Sequence, residues 1–333
     1  MIKVAVIGYG YWGPRIVRNF HAAENCQVVA IGDKNTARLK RAGVDFPGIE
    51  VTDDIGSVLA SPNVDAVAIV TPVWTHFELA EAALRNGKHV FVEKPFTSTA
   101  EQGEKLIELA ERKNLQIMVD HTFLFTGAVR KIRQLVEEGA LGKLFYYDST
   151  RVNLGLFQHD VNVIWDLAPH DLSIVDQLVD AAPQCVVATG QSHLNGHEDV
   201  AYMTIYYGDR MIAHINVNWL SPVKVRTTLI GGEKKMLVWN DLEADEKIRI
   251  YDKGVAITSG QAVHDLLVSY RSGDMWAPRI DQMEALAVET RYFSECVSTG
   301  KTPINDGRAG LRIVRILEAA NKSLAQGGAP VQL

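Results

Sequence analysis

Cysteine is scarce in this chain. Cys26, Cys185 and Cys296 are its only three in 333 residues, far apart and without a C-x-x-C pair. That excludes a disulfide framework and a zinc ribbon, and it fits reduced thiols packed as small apolar side chains, so no metal is expected. Long apolar runs are missing too. None approaches the ~20 residues that a membrane-spanning helix needs, so no membrane partner is expected. Strand-like residues already begin at Lys3, which leaves no room for a secretory leader, and the expected location is cytoplasmic. Nor is there an excess of basic residues: 34 Lys and Arg face 40 Asp and Glu, a net charge of −6. A nucleic-acid binder would show a basic surplus. Internal repeats and low-complexity segments are also lacking. What remains, 47% hydrophobic and 22% charged residues, is the make-up of a globular protein long enough for two ordinary domains.

The most informative stretch is the first, Lys3-Val4-Ala5-Val6-Ile7-Gly8-Tyr9-Gly10-Tyr11-Trp12-Gly13-Pro14. A short apolar run bounded by turn residues reads as a strand buried on both faces. Gly8 suits the tight turn, Gly10 lets backbone approach a pyrophosphate, and Gly13 lets a helix sit close to the strand. Pro14 fits the first turn of that helix, and its free N–H groups form an anion site. A lone G-x-G-x-x-G is weak evidence. Here a second apolar strand, Val28 to Gly32, ends at Asp33, at the spacing of about 20 residues expected of a carboxylate that binds the adenosine ribose. Such a carboxylate accepts from the 2′-hydroxyl and repels a 2′-phosphate, so the reading is NAD rather than NADP. The bland alternative is a glycine-rich turn with Asp33 as a helix cap.

Strands and helices then alternate. A helix over Asn35 to Ala42 with Asn35 as cap, a short helix Ile55 to Ala60, strand Asp65 to Val70, helix Thr75 to Asn86, strand Lys88 to Val92, helix Thr99 to Lys113 and strand Leu115 to Val119 follow in turn. This spacing predicts an α/β Rossmann domain, a doubly wound parallel sheet, over residues 1–121. Ligands of such sheets lie at the carboxyl ends of the strands, where Thr71, Glu93, Lys94 and His121 fall. Beyond residue 121 the pattern changes. A helix (Ala128 to Glu138), an extended stretch (Lys143 to Val152), a loop-like stretch (Arg151 to Ala168) and a helix from Asp166 to Leu178 lead into six consecutive strand-like runs with hairpin turns. Two helices close the chain, Ile280 to Ser298 and Ala309 to Gln326. Residues 122–333 are therefore expected to be an α+β domain with a large, mostly antiparallel sheet that binds substrate and oligomerises. Strands such as that carrying Tyr202, Met203, Ile205, Tyr206 and Tyr207 are apolar on both faces, which predicts a homo-oligomer, dimer or tetramer.

Several side chains could carry chemistry. Lys94 sits at a strand end between Glu93 and Pro95; a lysine in a partly dry cleft exchanges a proton near neutral pH, whereas a solvated loop lysine does not. Asp166 and His170, four apart on a helix, share one face, as an acid that orients an imidazole would; an ordinary helix pair has the same spacing. His76, near the start of its helix after Thr71-Pro72, either contacts cofactor or only packs there. Arg151, Asn153, Asn162 and Trp165 belong to a polar and aromatic stretch suited to a hydroxyl-rich substrate. Arg271 and Arg279, flanking Trp276, suit a pyrophosphate and a stacked base; plain salt-bridged loops look alike.

With the glycine turn, Thr71-Pro72, Glu93-Lys94-Pro95 and Asp166-x-x-x-His170 all in order, the chain resembles the glucose–fructose oxidoreductase/inositol dehydrogenase (Gfo/Idh/MocA) family over essentially its whole length. The resemblance implies that Lys94, Asp166 and His170 are catalytic and surround a reacting hydroxyl. It implies cofactor contacts from Gly8, Gly10, Tyr11, Trp12, Gly13, Asp33, Thr71, Pro72, His76, Glu93 and Lys94. Substrate contacts would come from Lys94, His121, Arg151, Asn153, Asn162, Trp165, His170, Arg271 and Arg279. A narrower resemblance, in Gly10 to Pro14, Ser149 to Asn153 and Trp165 to His170, is to the nucleotide-sugar branch, the UDP-N-acetylglucosamine 3-dehydrogenases. It implies a UDP-sugar oxidised at carbon 3 and a coupled aminotransferase that makes a 3-amino sugar, for example for lipid A. One departure is Asp120, where many relatives have a small residue. The competing expectations are a UDP-N-acetylglucosaminuronic acid, inositol or free-sugar dehydrogenase, a 3-ketoreductase, an NAD-dependent glycosidase and, in another class, an NAD-binding regulatory protein.

Overall fold

The computed structural model describes residues 1–155, 157–259 and 266–333, with Asp209, 255–259 and 266–270 described by backbone alone. By its contacts the chain divides into two units, Met1–Phe125 with Met283–Glu318 and Thr126–Gln282 with Ala319–Leu333.

The first unit is the doubly wound α/β domain. In chain order it comprises β1 (Ile2–Ile7), α1 (Gly13–Ala22), β2 (Cys26–Gly32), α2 (Thr36–Asp45), β3 (Glu50–Thr52), α3 (Ile55–Ala60), β4 (Ala66–Ile69), α4 (His76–Arg85), β5 (His89–Glu93), α5 (Ala100–Lys113) and β6 (Ile117–Asp120). The strands run in the order β3-β2-β1-β4-β5-β6, all pairs parallel. Val4 to Ile7, Ala66 to Ile69 and Val90 to Val92 are wholly buried, as unbroken apolar runs must be when helices cover both faces. Asn35 caps α2 through its side-chain oxygen, as the sequence indicates, and Thr99 caps α5. The order reverses direction between β1 and β4, the place where such sheets open a crevice for a ligand.

The second unit is α+β. It comprises α6 (Gly127–Glu137), β7 (Leu144–Leu154), α7 (Val163–Leu178), β8 (Pro183–Gln191), β9 (Val200–Tyr207), β10 (Ile212–Asn218), β11 (Leu220–Gly232), β12 (Met236–Asn240), β13 (Ile248–Ser259) and β14 (Leu266–Trp276). Among the described residues its nine strands follow the order β14-β13-β12-β11-β7-β10-β9-β8 and a final short strand, all antiparallel except β10 on β7. On β9 the period of two puts Ala201, Met203, Ile205 and Tyr207 inside and leaves Tyr202 and Tyr206 nearly half exposed. The loop expected over Arg151 to Ala168 is shorter in the structure, because β7 runs on to Leu154 and α7 starts at Val163.

Helices α8 (Ala285–Thr299) and α9 (Gly307–Ala325) and strand β15 (Val331–Gln332) complete the chain. On the sequence, α8 was expected with the second domain. It packs in the first unit, because the buried Phe293 meets Phe20 and Phe91 edge to face, with centroids 6.0 and 5.5 Å away.

Candidate functional site

The glycine turn has the geometry its spacing implies. Gly8 follows β1 with φ +103°, and a Cβ there would lie 2.2 Å from the carbonyl oxygen of Val70. A Cβ on Gly13 would lie 2.4 Å from the oxygen of Gly8, so both positions admit only glycine. Gly10 differs: nothing but the Arg38 guanidinium, 3.8 Å away, would meet its Cβ, and the backbone stands open to a ligand. Trp12, at the N-cap of α1, offers no side-chain acceptor to the helix, and Pro14 needs none. Asp33 is buried just past β2. Its Oδ2 accepts the Tyr9 amide at 2.7 Å and its Oδ1 the Asn35 amide at 2.8 Å. The open backbone at Gly10, the uncapped helix start and the fixed carboxylate together fit a dinucleotide, pyrophosphate on the first two and ribose on the third. Tyr11 is largely exposed beneath the Arg15 guanidinium, 4.8 Å from its ring centroid.

At the ends of β4, β5 and β6 the first unit gathers ionisable side chains. Thr71 Oγ1 lies 2.6 Å from Thr75 Oγ1. His76 is buried, with Nε2 2.8 Å from the Thr71 carbonyl and Nδ1 2.9 Å from that of Pro95, so it stitches two strand-end loops together. Burial first, and the Lys94 charge last, push its pKa down. Both ring nitrogens are taken by backbone, which favours the packing alternative for His76 over cofactor contact. Lys94 is half-buried, as is Glu93, and Lys94 is joined to Pro95 by a cis peptide bond. Its charge acts on His76, Asp120 and His121 alike. His121 is 1% exposed and neither ring nitrogen has a hydrogen-bond partner among the described residues. Burial, helped by Lys94, lowers its pKa to about 3, so it is a neutral imidazole. Asp120 and Glu289, on α8, complete this cluster; the sequence marks Asp120 only as a departure and gives no sign of Glu289.

In the second unit, α7 carries Asp166 and His170 one turn apart on one face. Asp166 Oδ2 accepts the Trp219 indole N–H at 3.1 Å. Pro169 lies inside the helix beside His170 and lacks the amide that would bond the Trp165 carbonyl. The Trp165 indole N–H is buried with no acceptor among the described residues. Asn153 is half-buried on β7.

Three of the expected substrate contacts have other partners. Arg151 is 5% exposed and is held by Asp171, Nε at 2.6 Å and Nη2 at 3.3 Å, with the Tyr147 hydroxyl 3.4 Å from the same carboxylate. This buried pair ties β7 to α7. Asn162 caps α7 and donates to Glu198 and Asn321, both at 3.0 Å. Arg271 is not in a loop with Arg279: it lies in β14, where its Nε donates to Asp252 at 2.9 Å and its guanidinium to the Lys234 carbonyl. Arg279 lies beyond the end of β14 and lines an open groove of about 620 Å³ with the acidic Asp245, Glu246 and Asp281.

A dinucleotide turn on a 3-2-1-4-5-6 parallel sheet, followed by an α+β unit, defines a two-unit dinucleotide-binding protein. Comparison with known proteins makes the assignment specific. Residues 2–121 match the model of the Gfo/Idh/MocA oxidoreductases, NAD-binding Rossmann fold, and residues 129–238 match the model of the C-terminal domain of the same family. The chain belongs to the Gfo/Idh/MocA oxidoreductase family. It is 28% identical to UDP-N-acetylglucosamine 3-dehydrogenase of Acidithiobacillus ferrooxidans over 94% of each chain. It is 27% identical to the NAD-dependent scyllo-inositol 2-dehydrogenase of Bacillus subtilis over 100% of this chain and 96% of that one. A solved structure of the Acidithiobacillus enzyme covers 98% of both chains at 24% identity with a TM-score of 0.82, a likeness of fold. Among the described residues, no helix is long and apolar enough to cross a membrane.

Proposed function

We propose that this oxidoreductase oxidises the 3-hydroxyl of a UDP-sugar, UDP-N-acetylglucosamine, to the 3-keto sugar. NAD, when bound, takes up the hydride lost from carbon 3. The residues of the chain then have to remove the hydroxyl proton. Lys94 and His170 are the candidate proton carriers, with Asp166 as the acid one turn from His170. The observation that carries the reading is Lys94 itself, half-buried at the end of β5 beside a neutral His121. At that strand end, where ligands of such sheets lie, its amine can hold or pass the hydroxyl proton. His121, with two unpartnered ring nitrogens, is the first unit's candidate for a substrate hydroxyl. The substrate class draws support from the 28% identity over nearly the whole of both chains and from the stretches Gly10 to Pro14 and Trp165 to His170. The product, a 3-ketone, is the substrate that an aminotransferase needs to make a 3-amino sugar, as in lipid A or related glycans. The chain would work in the cytoplasm as a homo-oligomer, for which the exposed Tyr202 and Tyr206 on β9 speak.

A second reading, a dehydrogenase of inositol or another free polyol, has its own support. Arg271 and Arg279 do not share one loop, so no ready arginine pair awaits a pyrophosphate, and an inositol dehydrogenase is 27% identical.

The test is the NADH absorbance of purified protein with NAD and UDP-N-acetylglucosamine, with an aminotransferase and glutamate drawing off the ketone. NADH formed with the UDP-sugar but not with inositol supports the first reading; the reverse supports the second. Lys94→Met should abolish either signal, and unchanged turnover would remove Lys94 from the mechanism.

A further inference from the structure

Two opposite charges flank the place where a dinucleotide meets the end of β2. Asp33 is buried there, with Oδ2 on the Tyr9 amide and Oδ1 on the Asn35 amide. The Arg38 guanidinium, from the first turn of α2, lies 3.6 Å from Asp33 Oδ2. It also stands over the glycine turn: its Nη1 is the nearest atom, at 3.8 Å, to a Cβ built on Gly10. An exposed arginine is free to extend into water, yet this one is folded back over the open backbone at Gly10. Its donors are unused. At 3.6 Å the guanidinium is beyond hydrogen-bonding distance of Asp33, and it donates to no other acceptor among the described residues. An ion pair of this length with one half-exposed member contributes little to the fold. The neighbouring groups offer no rival. Asn35 Oδ1 already accepts the Ala37 and Arg38 amides at the start of α2, at 2.9 and 3.2 Å. Arg41 is paired with Asp45 at 3.3 Å. Lys34 is exposed and makes no ion pair with Asp33 among the described residues.

The adenosine 2′-oxygen is the group that a dinucleotide presents to such a carboxylate, as a hydroxyl in NAD and as a phosphate ester in NADP. A carboxylate accepts from the first and repels the second, whereas a guanidinium with unused donors favours the second. We propose that Arg38 is a specificity-determining residue of the cofactor site: it offsets the Asp33 charge toward a 2′-phosphate, so that the preference for NAD over NADP is shallow and rests on the Asp33 carboxylate alone. This role needs the dinucleotide site but neither the sugar nor the proton carriers, so it can fail while the UDP-sugar reading holds, and the reverse.

Dissociation constants for NADH and NADPH, read from nicotinamide fluorescence on titration with the whole protein, test this without turnover. The parent should bind both, NADH the more tightly. Arg38→Met keeps the length of the side chain and removes its charge. It should weaken NADPH about tenfold, a change of about 1.4 kcal/mol, and NADH no more than about twofold. Asp33→Ser removes the repulsion and should reverse the preference, and adding Arg38→Met should cancel that reversal. Asp33 also holds two backbone amides; if its replacement unfolds the protein, the ratio in Arg38→Met alone decides. A parent that binds NADH without measurable NADPH binding, equal losses of the two in Arg38→Met, or an NADPH affinity lost in Lys34→Ala instead would each overturn the proposal.

Discussion

The indole Nε1 of Trp12 donates to Oδ2 of Asp120 across 3.1 Å, joining the glycine-rich turn at one end of the sheet's centre to the tip of β6, 108 residues later in the chain. The glycine-rich turn and the strand end that carries His121 are thereby held in one arrangement. A buried carboxyl from a distant strand thus helps to fix the turn.

Trp12→Phe keeps the aromatic ring and deletes only this donor. A hydrogen bond to a buried acceptor contributes about 0.5–1.5 kcal/mol, so NAD binding should weaken roughly 2- to 13-fold while the fold stays intact. Isothermal titration calorimetry of NAD against both proteins checks this. Equal affinities would mean that the turn is rigid without Asp120.

Arg151 is expected to behave as a structural residue. It is buried, and its two bonds to Asp171 are paralleled by the Tyr147 hydroxyl. Arg151→Met leaves the Asp171 carboxylate buried and unpaired, a loss of about 3–5 kcal/mol. Asp171→Asn should cost a comparable amount, and Arg151→Met with Asp171→Leu should recover much of it. Urea denaturation of the three variants is the measurement. A raised KM with undiminished stability in Arg151→Met would return this residue to the substrate site.

His121 gives the protein an acid sensitivity of calculable sign. Its folded pKa of about 3 lies below the unfolded value near 6.5. The unfolded chain therefore binds this proton first, and stability present above pH 6.5 is lost as pH falls from there toward 3, by about 1.4 kcal/mol per unit. His76 is shifted in the same direction. In His121→Gln the slope of unfolding free energy between pH 6.5 and 5 should be shallower than in the parent by about that amount. Parallel curves for the two proteins would mean that His121 is solvated or paired in solution.

Much of this was legible in the chain because its cause is local. Gly8, Gly10, Gly13 and Asp33 lie within one βαβ unit, so their spacing alone fixes a turn, a helix start and a strand end. The place of Lys94 just past a strand end was legible from the apolar run before it. The partners of these residues were not. Asp171 meets Arg151 from the next helix, Asn305 meets Glu289 from beyond α8, and Trp219 meets Asp166 from β10's end; none of the three carries a periodicity or a flanking turn that announces a long-range contact. The strand around Arg271 is hidden for a related reason. Its Ser272-Gly273-Asp274 run is rich in turn residues, but pairing with β13 draws it into a strand. Sequence does not distinguish a polar side chain awaiting a ligand from one bonded within the fold, as Arg151 is to Asp171 and Asn162 to Glu198 and Asn321.

Gly8 and Gly10 offer a matched pair of substitutions that separates folding from binding. At Gly8 an added methyl would lie 2.2 Å from the Val70 carbonyl oxygen, at a positive φ that L side chains rarely adopt. Strain and overpacking together should cost about 2 kcal/mol or more, and Gly8→Ala should melt several degrees lower than the parent. At Gly10 the same methyl would approach only the far end of Arg38, at 3.8 Å and with an ordinary φ, so Gly10→Ala should melt with the parent. The methyl would instead occupy the space in which the pyrophosphate meets the backbone, and NAD affinity should fall at least tenfold, a change of about 1.4 kcal/mol. Differential scanning fluorimetry with and without NAD reads both quantities: Gly10→Ala should lose the upward shift that NAD gives the parent. If Gly10→Ala kept that shift in full, the pyrophosphate would have to lie elsewhere along the turn, and the uncapped start of α1 would be the next place to look.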